Sequence, residues 1–381
     1  MIQNLDFLQG KKFFLSRGDL LVVENKIKEI FPPGKGKGGE MVFDGSEYLG
    51  VPAFVNSHIH LLDTLWKEKW MGKTIPQLFS SSGWKARHLQ DIQHGKGDAW
   101  IPWITKGLKE LVRSGIATAC VFVEEGIHGI QLVHQGAQNL KIAPHLVLLG
   151  RPIQRPVCKK ELEKILSSCQ GIGLGSTGDF SDEELLLMSR FRHSALLATH
   201  IAEFQKTSNF ERALSLYGAH FLVHGNYLSP EEWKKLADCQ IPVIHSFRAS
   251  QTFGLDTPDL LYLENLNLLW ALATDNLMLN SPNLLREIAF VARALHRLHG
   301  NLPPEFAVSL LASITYRPAQ ILGFSQKGVL EKNFESDILL FRKSPTLLPL
   351  ENLWTFIFRG DFGDLEYICL QGKLIKRSDI Q

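Results

Sequence analysis

The sequence predicts an α/β protein: a (β/α)8 TIM-like barrel with a small second domain of β-structure. Three observations predict it. From about residue 52, short apolar runs rich in β-branched and aromatic residues alternate eight times with amphipathic stretches. The alternation fills residues 52–325, and a barrel of this kind takes about 250 residues. On both flanks the alternation stops, leaving strand-like runs broken by Gly and Pro.

Taken in order, residues 1–51 hold FFLSRG, LLVVENKIKEIF and MVFDG, which read as short strands. The barrel strands follow as AFVNSHIH, ATACVFV, HLVLLG, GIGLG, ALLATH, HFLVHG, PVIHSF and LLWALATD. Between them lie helical patterns such as ITKGLKELVRSG, HGIQLVHQGAQN, KKELEKILSSC, DEELLLMSRF, FERALSLYGA and PEEWKKLADC, with NLLREIAFVARALHR closing the series. Ser229-Pro230-Glu231-Glu232 offers an N-cap serine, proline at the first helical position and a glutamate at the third. Ser181 and Glu184 repeat the capping-box spacing. Residues 326–381 return to strand-like runs, GVLEKNFESDILLFR and YICLQGKLIKR. Two β-rich ends that bracket a barrel imply one composite sheet, so the domains are 1–51 plus 326–381, and 52–325. An open doubly wound sheet is the structural alternative.

Composition excludes several classes. Lys and Arg exceed Asp and Glu by only the formal net charge of +2, which gives no field for nucleic acid or an anionic membrane surface. No apolar run approaches the ~20 residues of a membrane span, and the first residues lack a signal-peptide pattern. Five scattered cysteines without ligand spacing fit reduced thiols, so a cytoplasmic enzyme is expected.

Chemistry gathers at the strand ends. His58 and His60, at i and i+2, point to one face of the first strand. ALLATH ends in His200, HFLVHG nearly ends in His224, and LLWALATD ends in Asp275. The C-terminal mouth of a barrel is where its enzymes keep their active sites. Three imidazoles and a carboxylate suit zinc or ferrous iron, with water completing the shell. Such a cation lowers the water's pKa from 15.7 to about 7, making a metal-bound hydroxide at neutral pH. Glu203, three residues beyond His200, is placed to shuttle its proton.

These residues resemble a known group. PAFVNSHIHLLD, THIAE, LVHG and LATDN look like the metal motifs of the amidohydrolase superfamily, and most resemble its mononuclear branch of cytosine, adenosine and S-adenosylhomocysteine-type deaminases and related chlorohydrolases. ITYRPAQILG and GVLEKNFESDILLF extend the resemblance over nearly the whole chain; the latter looks like the return strand of that family's composite β-sandwich. The resemblance implies one divalent metal per chain, zinc first and Fe2+ second, held by His58, His60, His200 and Asp275. It implies Glu203 as proton shuttle and His224 beside the nucleophile, with Asp275 also helping to deprotonate the water. In binuclear members a carbamylated lysine ends the fourth strand; GIGLGSTGDF has none, which favours one metal.

Two departures fall on substrate contacts. The substrate-contacting histidine that many purine-type deaminases carry after strand four is absent, and VIHSFRASQTFG keeps only an echo of the stretch that shapes the pocket after strand seven. Arg151 after strand three and Arg248 after strand seven are candidates to hold an anionic group, against ordinary salt bridges. Trp66, Trp70, Phe79 and Trp84 in segment 61–98 form either an aromatic wall over a planar heterocycle or loop packing. Glu124 and Glu125 read as solvated loop charges, with a substrate contact as the alternative. The expected function is hydrolytic deamination of a small heterocyclic, nucleobase- or nucleoside-like substrate. The alternatives are opening of a cyclic amide, as in imidazolonepropionase-type members, chlorohydrolysis, and a non-catalytic binding module. The resemblance implies a homodimer or a larger assembly.

Overall fold

The computed structural model describes the chain except residues 40, 81, 208 and 381. Strands β1 (Ile2–Gln9), β2 (Phe14–Val23), β3 (Lys26–Phe31), β4 (Phe43–Asp44) and β5 (Tyr48–Pro52) come first. They are followed by β6 (Phe54–His60), β7 (Ile116–Val123), β8 (His145–Gly150), β9 (Gly171–Leu174) and β10 (Leu196–Ile201). Then come β11 (Phe221–His224), β12 (Val243–His245), β13 (Trp270–Leu272) and β14 (Asp275–Asn276). The last are β15 (Ile338–Arg342), β16 (Leu365–Leu370) and β17 (Lys373–Lys376).

Two compact units emerge: Met1–Val55 with Leu111–Thr118 and Leu284–Gln381, and Asn56–Glu110 with Ala119–Asn283. In the first, the terminal segments pair into one eight-stranded sheet ordered β17-β16-β15-β5-β1-β2-β3, with β4 beside β1. The join between the chain's two ends is the antiparallel β5–β15 ladder, from Pro52 opposite Ile338 to Tyr48 opposite Arg342. Leu5, Phe7, Leu20, Ile27, Ile338 and Leu340 pack into its core. The two flanks of the chain therefore share one sheet.

The second unit carries the site. Its curled sheet runs β13-β12-β11-β10-β9-β8-β7-β6-β14, the order of a TIM-like barrel. Every residue of β6 and of β7 is buried, as parallel strands covered on both faces require, and in β7 this goes with a nearly continuous apolar sequence. The eighth predicted strand is not continuous: it breaks into β13 and β14, and β14 pairs in parallel with β6, Asp275 opposite Ile59. Asn56 fixes that return. Its Nδ2–H donates to Thr274 Oγ1 at 2.7 Å, and its Oδ1 accepts the Thr274 N–H at 3.2 Å.

Both capping boxes form. Ser229 Oγ accepts the Glu232 N–H at 3.3 Å while Glu232 accepts the Ser229 N–H at 2.7 Å, and Ser181 with Glu184 does the same. The helix expected over FERALSLYGA ends at Leu216, because Gly218 turns the chain at φ +69°. Segment 61–98 is a folded excursion with helices Ile75–Phe79 and Trp84–Asp91. Among the described residues no helix is long and apolar enough to cross a membrane.

Candidate metal centre and active site

The site is built from the C-terminal ends of β6, β10 and β11 and from Asp275, the first residue of β14. The i, i+2 spacing on β6 brings His58 and His60 to one side, with ring centroids 4.9 Å apart. His200, next to last in β10, lies 4.8 Å from His58, and His224, last in β11, lies 5.3 Å from His200. All four rings are buried.

Hydrogen bonds select the free nitrogens. His200 Nδ1–H donates to the Leu174 carbonyl at 2.8 Å, and His60 Nδ1–H donates to Glu124 Oε1 at 2.8 Å. These partners assign both protons to Nδ1 and leave an unprotonated Nε2 on each ring. The two Nε2 atoms face each other at 3.4 Å. Asp275 Oδ1 sits 3.2 Å from His58 Nε2 and 3.7 Å from His60 Nε2. Four ligand atoms placed tetrahedrally about 2.1 Å from a zinc-sized ion must be about 3.4 Å apart, so these spacings fit. His58 Nδ1 and both ring nitrogens of His224 are buried with no hydrogen-bond partner, a cost that bound metal or substrate would remove. Three overlapping groups (His58, His200 and His224; His58, His60 and Asp275; Glu203, His224 and Asp275) bring their donor atoms within 4.8 Å.

Electrostatics sort these groups into roles. Burial, reinforced by the neighbouring imidazoles, holds His200 well below the ordinary histidine range. Burial pushes His224 down to about 3, with Asp275 opposing. Both rings are neutral, the state that metal ligation by an imidazole requires. For Asp275 burial works upward, but the His58 hydrogen bond and the surrounding imidazoles outweigh it and keep the carboxylate ionised. Glu203 goes the other way: burial and the Asp275 charge raise its carboxyl well above the usual value. Glu203 Oε2 lies 3.7 Å from His224 Nε2. His224 and Asp275 both hold left-handed backbone angles, φ +72° and +57°, a conformation that costs non-glycine residues free energy and is held by the surrounding structure.

Four residues around the cluster escape the sequence reading. Glu124 is buried rather than solvated, because β7 delivers it against His60. Lys85 and Asp63 join it: Lys85 Nζ is 2.7 Å from Glu124 Oε1 and 2.7 Å from Asp63 Oδ2. His245, last in β12, is also buried, with its ring 5.8 Å from that of Trp233, and burial lowers its pKa to about 3. Its strand-end position was the signal available in PVIHSF.

The predicted substrate contacts lie apart from this cluster's hydrogen bonds. Arg151 lays its guanidinium over Gly175, where any Cβ would come within 2.9 Å of it, and its Nε is buried without a hydrogen-bond partner. Arg248 Nη2 donates to the carbonyls of Ser281 and Asn283, both at 3.1 Å. Trp66 is buried edge-on against Trp84 and Trp100, at 5.0 and 6.0 Å.

Residues 50–369 match the model of the Amidohydrolase family. The chain belongs to that family. This amidohydrolase is thus a metal-dependent hydrolase acting on C–N bonds. An uncharacterized protein of Methanocaldococcus jannaschii is 29% identical to it, over 94% of this chain and 95% of that one. A 5-methylthioadenosine/S-adenosylhomocysteine deaminase of Pyrococcus furiosus is 23% identical, over 98% and 94%. Among solved structures, the zinc complex of atrazine chlorohydrolase from Arthrobacter aurescens TC1 superposes with a TM-score of 0.80 at 16% identity, covering 98% of this amidohydrolase and 94% of that chain.

Proposed function

We propose that this chain is a hydrolytic deaminase of a small heterocyclic amine, nucleobase- or nucleoside-like. It holds one divalent cation on His58, His60, His200 and Asp275, zinc in the first place and ferrous iron in the second. The observation that carries the reading is the 3.4 Å approach of the His60 and His200 Nε2 atoms, beside a carboxyl of raised pKa on Glu203. The deaminase named among its relatives supports the same reaction class.

A divalent cation in this set supplies a water acidic enough to be the nucleophile at neutral pH. The residues do the rest. Asp275, ionised, and Glu203 accept the two protons that the water gives up in turn, the first on attack and the second from the added hydroxyl. Glu203 then delivers a proton to the substrate's ring nitrogen and next to the departing amine, a role its raised pKa suits. Neutral His224 orients the nucleophile or hydrogen-bonds the substrate's ring nitrogen or carbonyl.

Among substrate contacts Arg151 is favoured, as its buried Nε has no hydrogen-bond partner. Arg248 and Trp66 stand behind it, since one serves two backbone carbonyls and the other packs among rings. Residues 1–51 with 326–381 are read as a β-sandwich domain and 52–325 as the hydrolase barrel. The enzyme acts in the cytoplasm as a homodimer, without nucleic acid or membrane.

An ammonia-release screen of heterocyclic amines with zinc- and iron-loaded protein tests the reaction. Ammonia matching substrate loss supports it. Chloride from a triazine, or ring opening without ammonia, moves the assignment to the other hydrolytic readings. No turnover by a protein that binds heterocycles favours the silent module.

A further inference from the structure

Lys85 lies outside the barrel strands. It is the second residue of the helix Trp84–Asp91, in the excursion after β6, yet its side chain is only 12% exposed. Its ammonium sits between two buried carboxylates, Asp63 and Glu124. Glu124 Oε1 receives two donors at once, Lys85 Nζ at 2.7 Å and His60 Nδ1 at 2.8 Å. The other oxygens, Glu124 Oε2 and Asp63 Oδ1, are buried with no hydrogen-bond partner. Each carboxylate is thus held through one oxygen, and Lys85 is the donor they share.

We propose that Lys85 is a positioning residue for the metal centre, acting through Glu124 on His60. This rests on the metal reading of the cluster. A metal-binding imidazole is oriented by whatever accepts its other N–H, and such partners matter to affinity nearly as much as the ligands. Here the partner is a carboxylate that a lysine must pin. Without Lys85, two buried anions would face each other with no cation between them, and Glu124 would swing from Asp63 and from the line that aims His60. Lys85 is neither nucleophile nor substrate anchor, because its ammonium is already engaged by both carboxylates.

Zinc affinity of the full-length protein, measured by competition with a chromophoric chelator, tests this. The zinc release rate and the unfolding midpoint of the metal-free protein are recorded alongside it, so that loosening of the loop alone is distinguished. Lys85→Met should raise the zinc Kd by about 10–100-fold, and Glu124→Gln by a similar factor. The double variant should be no worse than Glu124→Gln alone, and Lys85→Arg should recover most of the affinity. A folded Lys85→Met protein with wild-type zinc Kd, or additive losses in the double variant, would overturn the proposal. If Lys85→Met does not fold, Glu124→Gln decides: wild-type affinity there overturns it, and the expected loss upholds it. A wild-type chain that takes up no zinc, iron or manganese would overturn the metal reading itself, and this inference with it.

Discussion

The Nε2 atoms of His60 and His200 face each other across 3.4 Å, while each ring gives its Nδ1 proton to an oxygen. Two lone pairs so close repel. A cation turns that repulsion into coordination. The geometry is therefore that of a paired donor set, which packing of two core histidines would not produce.

His200→Ala should abolish this pairing. Elemental analysis of protein purified without chelators is expected to give about one zinc or iron per wild-type chain, and well under one for the variant. A variant that keeps its metal would remove His200 from the ligand set.

Glu203→Gln keeps the shape of the side chain and removes its proton chemistry. Turnover should fall by at least ~10²-fold while metal content stays at the wild-type level. Wild-type kcat in this variant would end the proposed proton-shuttle role.

Arg151→Ala separates two kinds of substrate. KM should rise about tenfold or more for substrates carrying a carboxylate or phosphate, since a charge-assisted hydrogen bond contributes roughly 1.5–3 kcal/mol. KM for uncharged heterocycles should hold. Equal effects on both would make Arg151 a structural residue.

His245 imposes a pH dependence on stability. Burial lowers its folded pKa to about 3, against about 6.5 in an unfolded chain. Between those values the unfolded state binds the extra proton. Stability from this group is therefore complete above about pH 6.5 and lost as pH falls towards 3, at up to ~1.4 kcal/mol per pH unit. Denaturant titrations at pH 7.5 and 5.5 should show a smaller acid loss for His245→Gln than for wild type. Parallel losses in the two proteins would mean that His245 is protonated in the fold.

Much of this was legible beforehand, and the reason is physical. Strands of a parallel sheet are buried on both faces, so they read as dense apolar runs, and their C-terminal ends are where polar side chains stand out. His58, His60, His200, His224 and Asp275 were found that way. The break after Leu272 was invisible, because Ala273 and Thr274 suit a strand, and what interrupts them is the grip of Asn56 on Thr274. Glu124 was misread because sequence does not report burial. Lys85 and Asp63 carry no pattern at all: they meet only because segment 61–98 folds back, and that segment has no strand–helix period to reveal it.

That same segment brings Trp70 and Phe79 to Phe253, and Phe79 to Phe204, the neighbour of Glu203. The excursion that gathers these rings thus also contributes Asp63 and Lys85. For anyone recombining such enzymes, residues 61–98 are a single heritable cassette. A donor loop chosen for its aromatic face, but lacking an acid–lysine pair in register with Glu124, would carry a new substrate preference onto a scaffold that no longer keeps its inorganic partner. Crossovers are better placed at the helix end after Lys85 than at the strand end before Asp63.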